Sequence, residues 1–352
     1  MGSHESPGAV RRLQQAWLSR GALACALWPV SMLFGAVTAT RRALYRIGVL
    51  RSVSVAAPVI VVGNLIAGGA GKTPVVMALV EALRLRGHTP GIVSRGYGAV
   101  TANVLDVTPA TRAADCGDEP LLMRLRTGVP VVVGRDRVAA AEQLLRLHPA
   151  TDVIVSDDGL QHLHLARSAQ VLVFDERGAG NGWLLPAGPL REALPASTPP
   201  RSIVVYNAPT ASTPLRGTLA RRALAGAVGL AAWWQGQSAS IQMLAALRGR
   251  PVLAAAGVAQ PERFFTMLRQ HGLTIDTLPL PDHHDYAALP WPADTPDVIV
   301  TEKDAIKLDA ARMGNVRVWV APLDFALDAA FDAALFALLP PPGTPPHGNA
   351  PA

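Results

Sequence analysis

The strongest constraint on this chain is one passage in which an apolar run, a glycine-rich turn and an amphipathic segment follow in order. Residues 58–62 read Pro-Val-Ile-Val-Val, then come Gly68-Gly69-Ala70-Gly71-Lys72-Thr73, and residues 74–86 place apolar positions at helical spacing. Strand, glycine-rich loop, Lys-Thr and helix is the order that a phosphate-binding loop requires. Glycines let backbone N–H groups approach phosphate oxygens where a Cβ would collide or forbid the necessary φ. Lys72 is suited to the β- and γ-phosphates, and the Thr73 hydroxyl to Mg²⁺. The full pattern places a glycine five residues before Gly71, where this chain has Ile66.

The basic residues sharpen that reading. Of 32 Lys and Arg residues only three are lysine: Lys72, Lys303 and Lys307. Against such an arginine bias, a retained lysine marks a place that needs a compact ammonium rather than a planar fork. Two of them fall in Thr301-Glu302-Lys303-Asp304-Ala305-Ile306-Lys307, a second segment of interest, which a solvated helix face would equally explain. The net charge of +6 points to an anionic partner: nucleic acid, a membrane surface or a phosphorylated substrate. Nucleic acid is disfavoured, since aromatics are only 5% of the chain and no basic run is interleaved with them. Cys25 and Cys116 form no metal-ligand spacing, so a reduced cytosolic setting is expected.

Residues 21–40 carry no charge and include Leu23, Leu27, Trp28, Met32, Leu33, Phe34 and Val37. Arg20 precedes the run, and Arg41, Arg42, Arg46 and Arg51 follow it. The length would just span a bilayer, but Pro29 and several small residues dilute it. It reads as an interfacial helix anchored by arginines and Trp28. The competing reading is a helix buried against the protein's own core.

Downstream, short apolar runs alternate with helical patterns. Strands are expected around 91–93, 129–133, 153–155, 171–174 and 203–206, with helices at 74–86 and 137–147. That alternation implies an α/β fold with a parallel sheet covered on both faces, a P-loop NTPase-like α/β/α sandwich. A second set, with strands near 251–255, 298–300 and 316–320 and helices at 261–270 and 303–312, implies a smaller α/β/α domain. The expected division is a membrane-associated helical segment at 1–52, a P-loop domain at 53–208, a smaller domain with its linker at 209–340, and a disordered tail at 341–352.

The acids come next. Residues 152–155 form an apolar run that ends in Ser156-Asp157-Asp158-Gly159. A carboxylate at the tip of a strand beside the P-loop commonly holds Mg²⁺, so Asp157 and Asp158 are candidate ligands together with Thr73. Asp175 ends another such run and competes with them. In Gly117-Asp118-Glu119-Pro120 the acids would cap a helix, supply a general base, or, for Glu119, join the metal ligands.

Together these motifs resemble the tetraacyldisaccharide 4'-kinases of lipid A biosynthesis. The resemblance rests on Val62-Gly63-Asn64, the P-loop and Pro74, Val93-Ser94-Arg95-Gly96-Tyr97-Gly98, Gly117-Asp118-Glu119-Pro120 and Ser156-Asp157-Asp158-Gly159-Leu160-Gln161-His162. It continues through Gly180-Asn181-Gly182, Leu185 to Glu192, Pro261-Glu262-Arg263-Phe264-Phe265, Asp282-His283-His284 and Thr301 to Lys307. It implies ATP- and Mg²⁺-dependent transfer of the γ-phosphoryl group to the 4'-hydroxyl of a tetraacylated disaccharide 1-phosphate, giving lipid IVA. It also implies two α/β/α domains joined by a β-linker, peripheral or monotopic on the cytoplasmic face of the bacterial inner membrane. ATP would lie on Gly68, Gly69, Ala70, Gly71, Lys72 and Thr73. Asp118 would be the base and His283, with His284 beside it, its partner. Arg137 and Arg191 would lie near phosphates or substrate, with Asn181, Gln161 and His162 as further polar contacts.

The rival reading is a membrane-associated P-loop switch or targeting NTPase. Its deviant loop would carry a lysine where this chain has Ala67, and the guanine reader of a GTPase would separate Lys from Asp, which are adjacent at Lys303-Asp304. A non-catalytic nucleotide sensor would have no need of Asp118 and His283.

Overall fold

The computed structural model describes residues 15–98 and 103–342, so the expected tail lies outside the described residues from 343 onward. The chain forms two compact units and visits each more than once: Met1–Arg95, Asp136–Ala220 and Leu327–Ala352 make the first, and Gly96–Arg135 with Arg221–Ala326 make the second. In the first unit it runs through helix α1 (Ala22–Arg46), strand β1 (Val59–Gly63), helix α2 (Lys72–Leu85) and strand β2 (Pro90–Ser94). The second unit receives strand β3 (Leu105–Val107), helices α3 (Ala113–Cys116) and α4 (Asp118–Thr127), and strand β4 (Val131–Val133). The first resumes with helix α5 (Arg137–Leu147) and strands β5 (Val153–Asp157), β6 (Ala169–Phe174), β7 (Ser202–Tyr206) and β8 (Thr218–Leu219). The second then adds strands β9 (Arg221–Leu224) and β10 (Val228–Gly229), helices α6 (Leu230–Trp234) and α7 (Ile241–Ala245), strand β11 (Val252–Ala256), helix α8 (Pro261–Gln270), strands β12 (Ile275–Pro279) and β13 (Asp297–Val300), helix α9 (Glu302–Ala305), and strands β14 (Arg317–Val320) and β15 (Leu323–Ala326). Helix α10 (Ala329–Phe336) closes the first unit.

Within the first unit the strands lie in the order β2-β5-β1-β6-β7-β8, each pair parallel. β1 and β5 are buried at every position, as expected for strands covered on both faces. Helix α2 turns Val76, Leu79, Val80 and Leu83 toward the sheet at helical spacing. Each such side chain contributes on the order of 1.5–3 kcal/mol by leaving water. The parallel register directs every strand's C-terminal end to one edge, the place where open α/β sheets bind ligands.

The second unit has its own sheet, β10-β14-β13-β11-β12, parallel except at β10. Phe264, Phe265 and Leu268 of α8 pack with Val252, Ala254, Ala256 and Ile299 in its core. β9 and β15 form an antiparallel ribbon next to the points where the chain changes units.

Two features differ from the sequence expectation. The units interleave instead of dividing near residue 208: Gly96–Arg135 groups with the later residues, while α10 packs on β7 through its buried Phe331 and Leu335. The helix expected at 303–312 is broken into α9 and a 3-10 turn at Ala310–Arg312. Thr301 caps the first piece by accepting from the Asp304 N–H, and Asp309 restarts the chain by accepting from the Ala311 N–H.

Asp297 opens β13 with its side chain almost fully enclosed. It accepts hydrogen bonds from Arg317 at 2.9 Å and Trp319 at 2.8 Å, and pairs with Arg250 at 2.7 Å. Burial works against its ionisation, but these donors outweigh burial and hold the carboxyl below its usual range. A lowered folded-state value means that the stabilisation is complete above the unfolded value, about 3.9, and is lost as pH falls through the folded one. Asp297→Asn should therefore destabilise the protein at pH 7 by about 1.5–3 kcal/mol. Denaturant unfolding should show the wild type and the variant converging as pH drops into the acid range.

Candidate active site

The phosphate loop takes its shape from strand ends. Asn64 follows β1 and donates to the carbonyls of Ile66 at 2.9 Å and Gly68 at 3.1 Å. Asn207 follows β7 and donates to the Ala70 carbonyl at 3.1 Å. Arg177, just past β6, donates to the Gly69 carbonyl at 2.8 Å. Gly68 and Gly71 adopt left-handed φ of 89° and 73°, and a Cβ on Gly71 would collide with the Asn207 amide. Helix α2 then begins with no side-chain cap and no acid in its first turn, so its leading N–H groups and dipole stay available to an anion.

Lys72 lies in that first turn. Its Nζ donates to Asn64 Oδ1 at 3.2 Å and sits 3.4 Å from Asp158 Oδ1. β5 neighbours β1 with Val62 opposite Asp157, so Asp157 at the end of β5 and Asp158 just past it lie at the same sheet edge as the glycine-rich loop. Asp157 is buried and accepts from the Ser94 hydroxyl at 2.9 Å. Asp158 takes a left-handed φ of 47°, which Asp tolerates, and meets Arg191 at 3.4 Å as well as Lys72. Arg191 also donates to Gln161 Oε1 at 3.3 Å. Arg137 is buried at the first position of α5; burial draws its guanidinium below the usual value, and the charges of Asp157 and Asp158 oppose that. With Thr73 these acids offer hard oxygen donors, which suit Mg²⁺.

The competing acid, Asp175, has a different occupation. It is buried and bound by the Arg177 guanidinium at 2.9 and 3.1 Å, the same side chain that holds Gly69. Asn181 is also structural: its amide donates to the carbonyls of Ser19 and Ala187. His162 is pushed down to about 4 by burial and by nearby Arg137, so it is neutral at physiological pH.

The second unit holds the other chemistry. Gly117, at φ 94°, leads into α4, and a Cβ there would meet the Tyr97 carbonyl at 2.7 Å. Asp118 opens α4, where the dipole favours a carboxylate. Its Oδ2 lies 3.0 Å from His283 Nδ1 and 3.2 Å from Lys307 Nζ. Burial works against ionisation, yet the hydrogen bond from His283 and the charge of Lys307 hold the carboxyl below its ordinary range. His283 itself sits at φ 61°. The His284 ring packs edge-on against Tyr286 at 4.8 Å. Glu119 pairs with Lys303 at 3.4 Å.

The structure groups Lys72, Thr73, Arg137, Asp157, Asp158 and Arg191 in the first unit and Asp118, Glu119 and His283 in the second, whereas the sequence reading expected Asp118 and Glu119 in the P-loop domain at 53–208. That reading gave no role to Asn64, Arg177, Asn207 or the two later lysines. The signal available was position: Asn64, Asp175 and Asn207 each follow an apolar strand, at the edge where a parallel sheet binds ligands.

Comparison with known proteins identifies the family. The family model for tetraacyldisaccharide-1-P 4'-kinase, LpxK, matches residues 23–340. The tetraacyldisaccharide 4'-kinase of Methylibium petroleiphilum is 58% identical over 96% of this chain and 97% of its own. That of Leptothrix cholodnii is 57% identical over 94% and 96%. A crystal structure of LpxK from Aquifex aeolicus in complex with ATP superposes with a TM-score of 0.74 at 26% identity, covering 90% of this chain and 99% of that one. A P-loop backed by strand-end acids, an Asp–His pair and matches over nearly the whole length lead to one conclusion: this chain belongs to the tetraacyldisaccharide 4'-kinase family.

Proposed function

We propose that the protein is an ATP-dependent lipid A 4'-kinase, transferring the γ-phosphoryl group of ATP to the 4'-hydroxyl of a tetraacylated disaccharide 1-phosphate. The observation that carries this reading is the contact of Asp118 with His283 across 165 residues of sequence. A nucleotide switch has no use for a carboxylate–imidazole pair; a transferase that must take a proton from a hydroxyl does.

In this reading Gly68 to Thr73 bind the ATP phosphates, with Lys72 neutralising charge on the transferred group. Arg137 and Arg191 add positive charge near Asp157 and Asp158. Thr73, Asp157 and Asp158 would hold Mg²⁺; Glu119, the other expected ligand, belongs to the second unit, where it pairs with Lys303. The ion, when bound, offsets charge on the phosphate oxygens. The bond from the γ-phosphorus to the bridging oxygen breaks, and one to the 4'-oxygen forms. Asp118, a carboxylate at neutral pH, accepts the hydroxyl proton.

Lys72→Ala should reduce turnover on the order of 10²-fold or more, the loss expected for one strong electrostatic stabiliser. Asp118→Ala should lower kcat while leaving ATP affinity near the wild-type value, because the base acts only in the chemical step. The assay is formation of 4'-phosphorylated product from the lipid disaccharide. Turnover near the wild-type level in Lys72→Ala would reject the phosphate-loop assignment.

We further infer that α1 is a membrane-surface helix and that the enzyme works peripherally or monotopically on the cytoplasmic face of the inner membrane. α1 is the one described helix long and apolar enough to cross a bilayer, at 25 residues or about 37 Å. Yet one stripe of it is docked on the first unit: Ala24 and Ser31 are buried, and the Ser31 hydroxyl donates to the Leu184 carbonyl at 2.6 Å. Leu33 and Val37, one turn apart, are 67% and 60% exposed, and Met32 and Trp28 are open as well. Arg42 at the helix's end pairs with Glu192 at 2.6 Å, and Arg41 donates to the Gln161 carbonyl at 3.1 Å. A helix held to its own protein along one side and apolar on the other suits an interface better than a span. The double variant Leu33→Glu, Val37→Glu should lose most co-sedimentation with anionic vesicles while retaining ATP binding. Unchanged co-sedimentation would return the helix to a role within the protein alone.

A further inference from the structure

Lysine is rare in this chain, and its use in the second unit is specific. Lys303 and Lys307 both come from the segment around α9, and each meets the Asp118–His283 pair from a different side. Lys307 is partly buried, donates to the His284 carbonyl at 2.8 Å and lies 3.2 Å from Asp118 Oδ2, so it ties the carboxylate to the backbone beside His283. Lys303 lies 3.3 Å from the other face of the imidazole, at Nε2, with Asp282 Oδ1 at 3.2 Å and Glu119 Oε1 at 3.4 Å.

Resting on the reading of Asp118 as the base, we propose that Lys303 is a positioning residue that fixes the tautomer of His283. The argument is one of donors and acceptors. An ammonium carries three hydrogens and no lone pair, so at its contact with Nε2 the ring nitrogen must accept. Nε2 is then unprotonated and the ring hydrogen sits on Nδ1. That hydrogen is given to Asp118 Oδ2 at 3.0 Å. The opposite tautomer would set two donors face to face at Nε2 and two acceptors face to face at Nδ1.

A division of labour follows. With Nδ1 protonated and Nε2 held by Lys303, the imidazole has no lone pair with which to take a proton from Asp118. His283 therefore orients the carboxylate and does not relay its proton, which stays on Asp118 until product leaves. The choice of lysine follows as well. Lys303 directs hydrogens from a single nitrogen toward an imidazole and two carboxylates carried by separate segments. A guanidinium spreads its hydrogens across a rigid plane and fits a different geometry. In a chain with 32 basic residues and only three lysines, that requirement explains why arginine does not stand here.

The test uses the full-length enzyme labelled with ¹⁵N-histidine and long-range ¹⁵N–¹H spectra, with His283 assigned by the signal lost in His283→Gln. The wild type should show the Nδ1–H tautomer. Lys303→Met should give the Nε2–H form or a mixture, with kcat lower on the order of 10²-fold, as for a misoriented catalytic group, and KM for ATP unchanged. Lys303→Arg, which like lysine can only donate, should retain the Nδ1–H tautomer and more of kcat than Lys303→Met. A wild-type ring protonated on Nε2 would overturn the proposal. So would a Lys303→Met enzyme that loses turnover with the His283 tautomer unaltered, since the lysine would then act only on structure. Full turnover in Asp118→Ala would instead remove the base assignment, and the spectra read the tautomer without turnover, so the two failures are separable.

Discussion

The first unit depends on how it holds Lys72. An ammonium in a half-buried loop needs partners, and here Asn64 and Asp158 supply them from the ends of adjacent strands. Asn64 at the same time fixes two carbonyls of the loop, so the group that positions the cation also sets the backbone that surrounds it. Arg177 and Asn207 hold the remaining carbonyls. With its carbonyls turned into these bonds, the loop keeps its N–H groups for an anion. Little reorganisation is then left for the moment of phosphoryl transfer, which is how preorganised charge accelerates a reaction.

The second unit solves a related problem with different parts. Asp118 sits in a setting that would raise the value of an isolated carboxyl, and His283 and Lys307 reverse that effect. Lys303 is subject to the same balance: burial disfavours its charge, and Glu119 and Asp282 restore it, holding it above its ordinary value. Beneath them Asp304 is fully buried, accepting from the Thr301 hydroxyl at 2.6 Å and the Gly257 N–H at 3.0 Å. Burial raises this carboxyl more than its donors lower it. It anchors the Thr301–Lys307 segment to the end of β11, and the backbone of Gly257 in turn accepts from the His283 N–H at 3.2 Å. The two lysines and the histidine therefore share one foundation.

Helix α1 applies the opposite rule to its exposed side. Apolar residues left in water are unfavourable in proportion to their area. Leu33, Val37 and Met32 share a helix whose docked stripe is already satisfied by Ser31 and Ala24, so this apolar surface is not needed by the protein's own core. In the proposed reading, a membrane surface would give that apolar side a use.

The α/β class, the glycine-rich phosphate loop and the strand-end position of Asp157 and Asp158 were legible in the chain because each rests on local chemistry. A strand that is buried on both faces must be apolar throughout, as in β1 and β5. A loop that cradles phosphate must be rich in glycine, and a helix that covers a sheet must repeat at 3.6 residues, as Val76, Leu79, Val80 and Leu83 do. The resemblance to a known family added the partnership of Asp118 with His283, which no local pattern contains. Only the tertiary structure decided that Gly96–Arg135 belongs with the later unit, that Asp175 serves Arg177, and that α9 ends after one turn. It also decided that Lys303 and Lys307 address the imidazole and the carboxylate from two sides. Those outcomes depend on which donor reaches which acceptor across more than a hundred residues, and sequence spacing encodes periodicity along the chain but not distance through the fold.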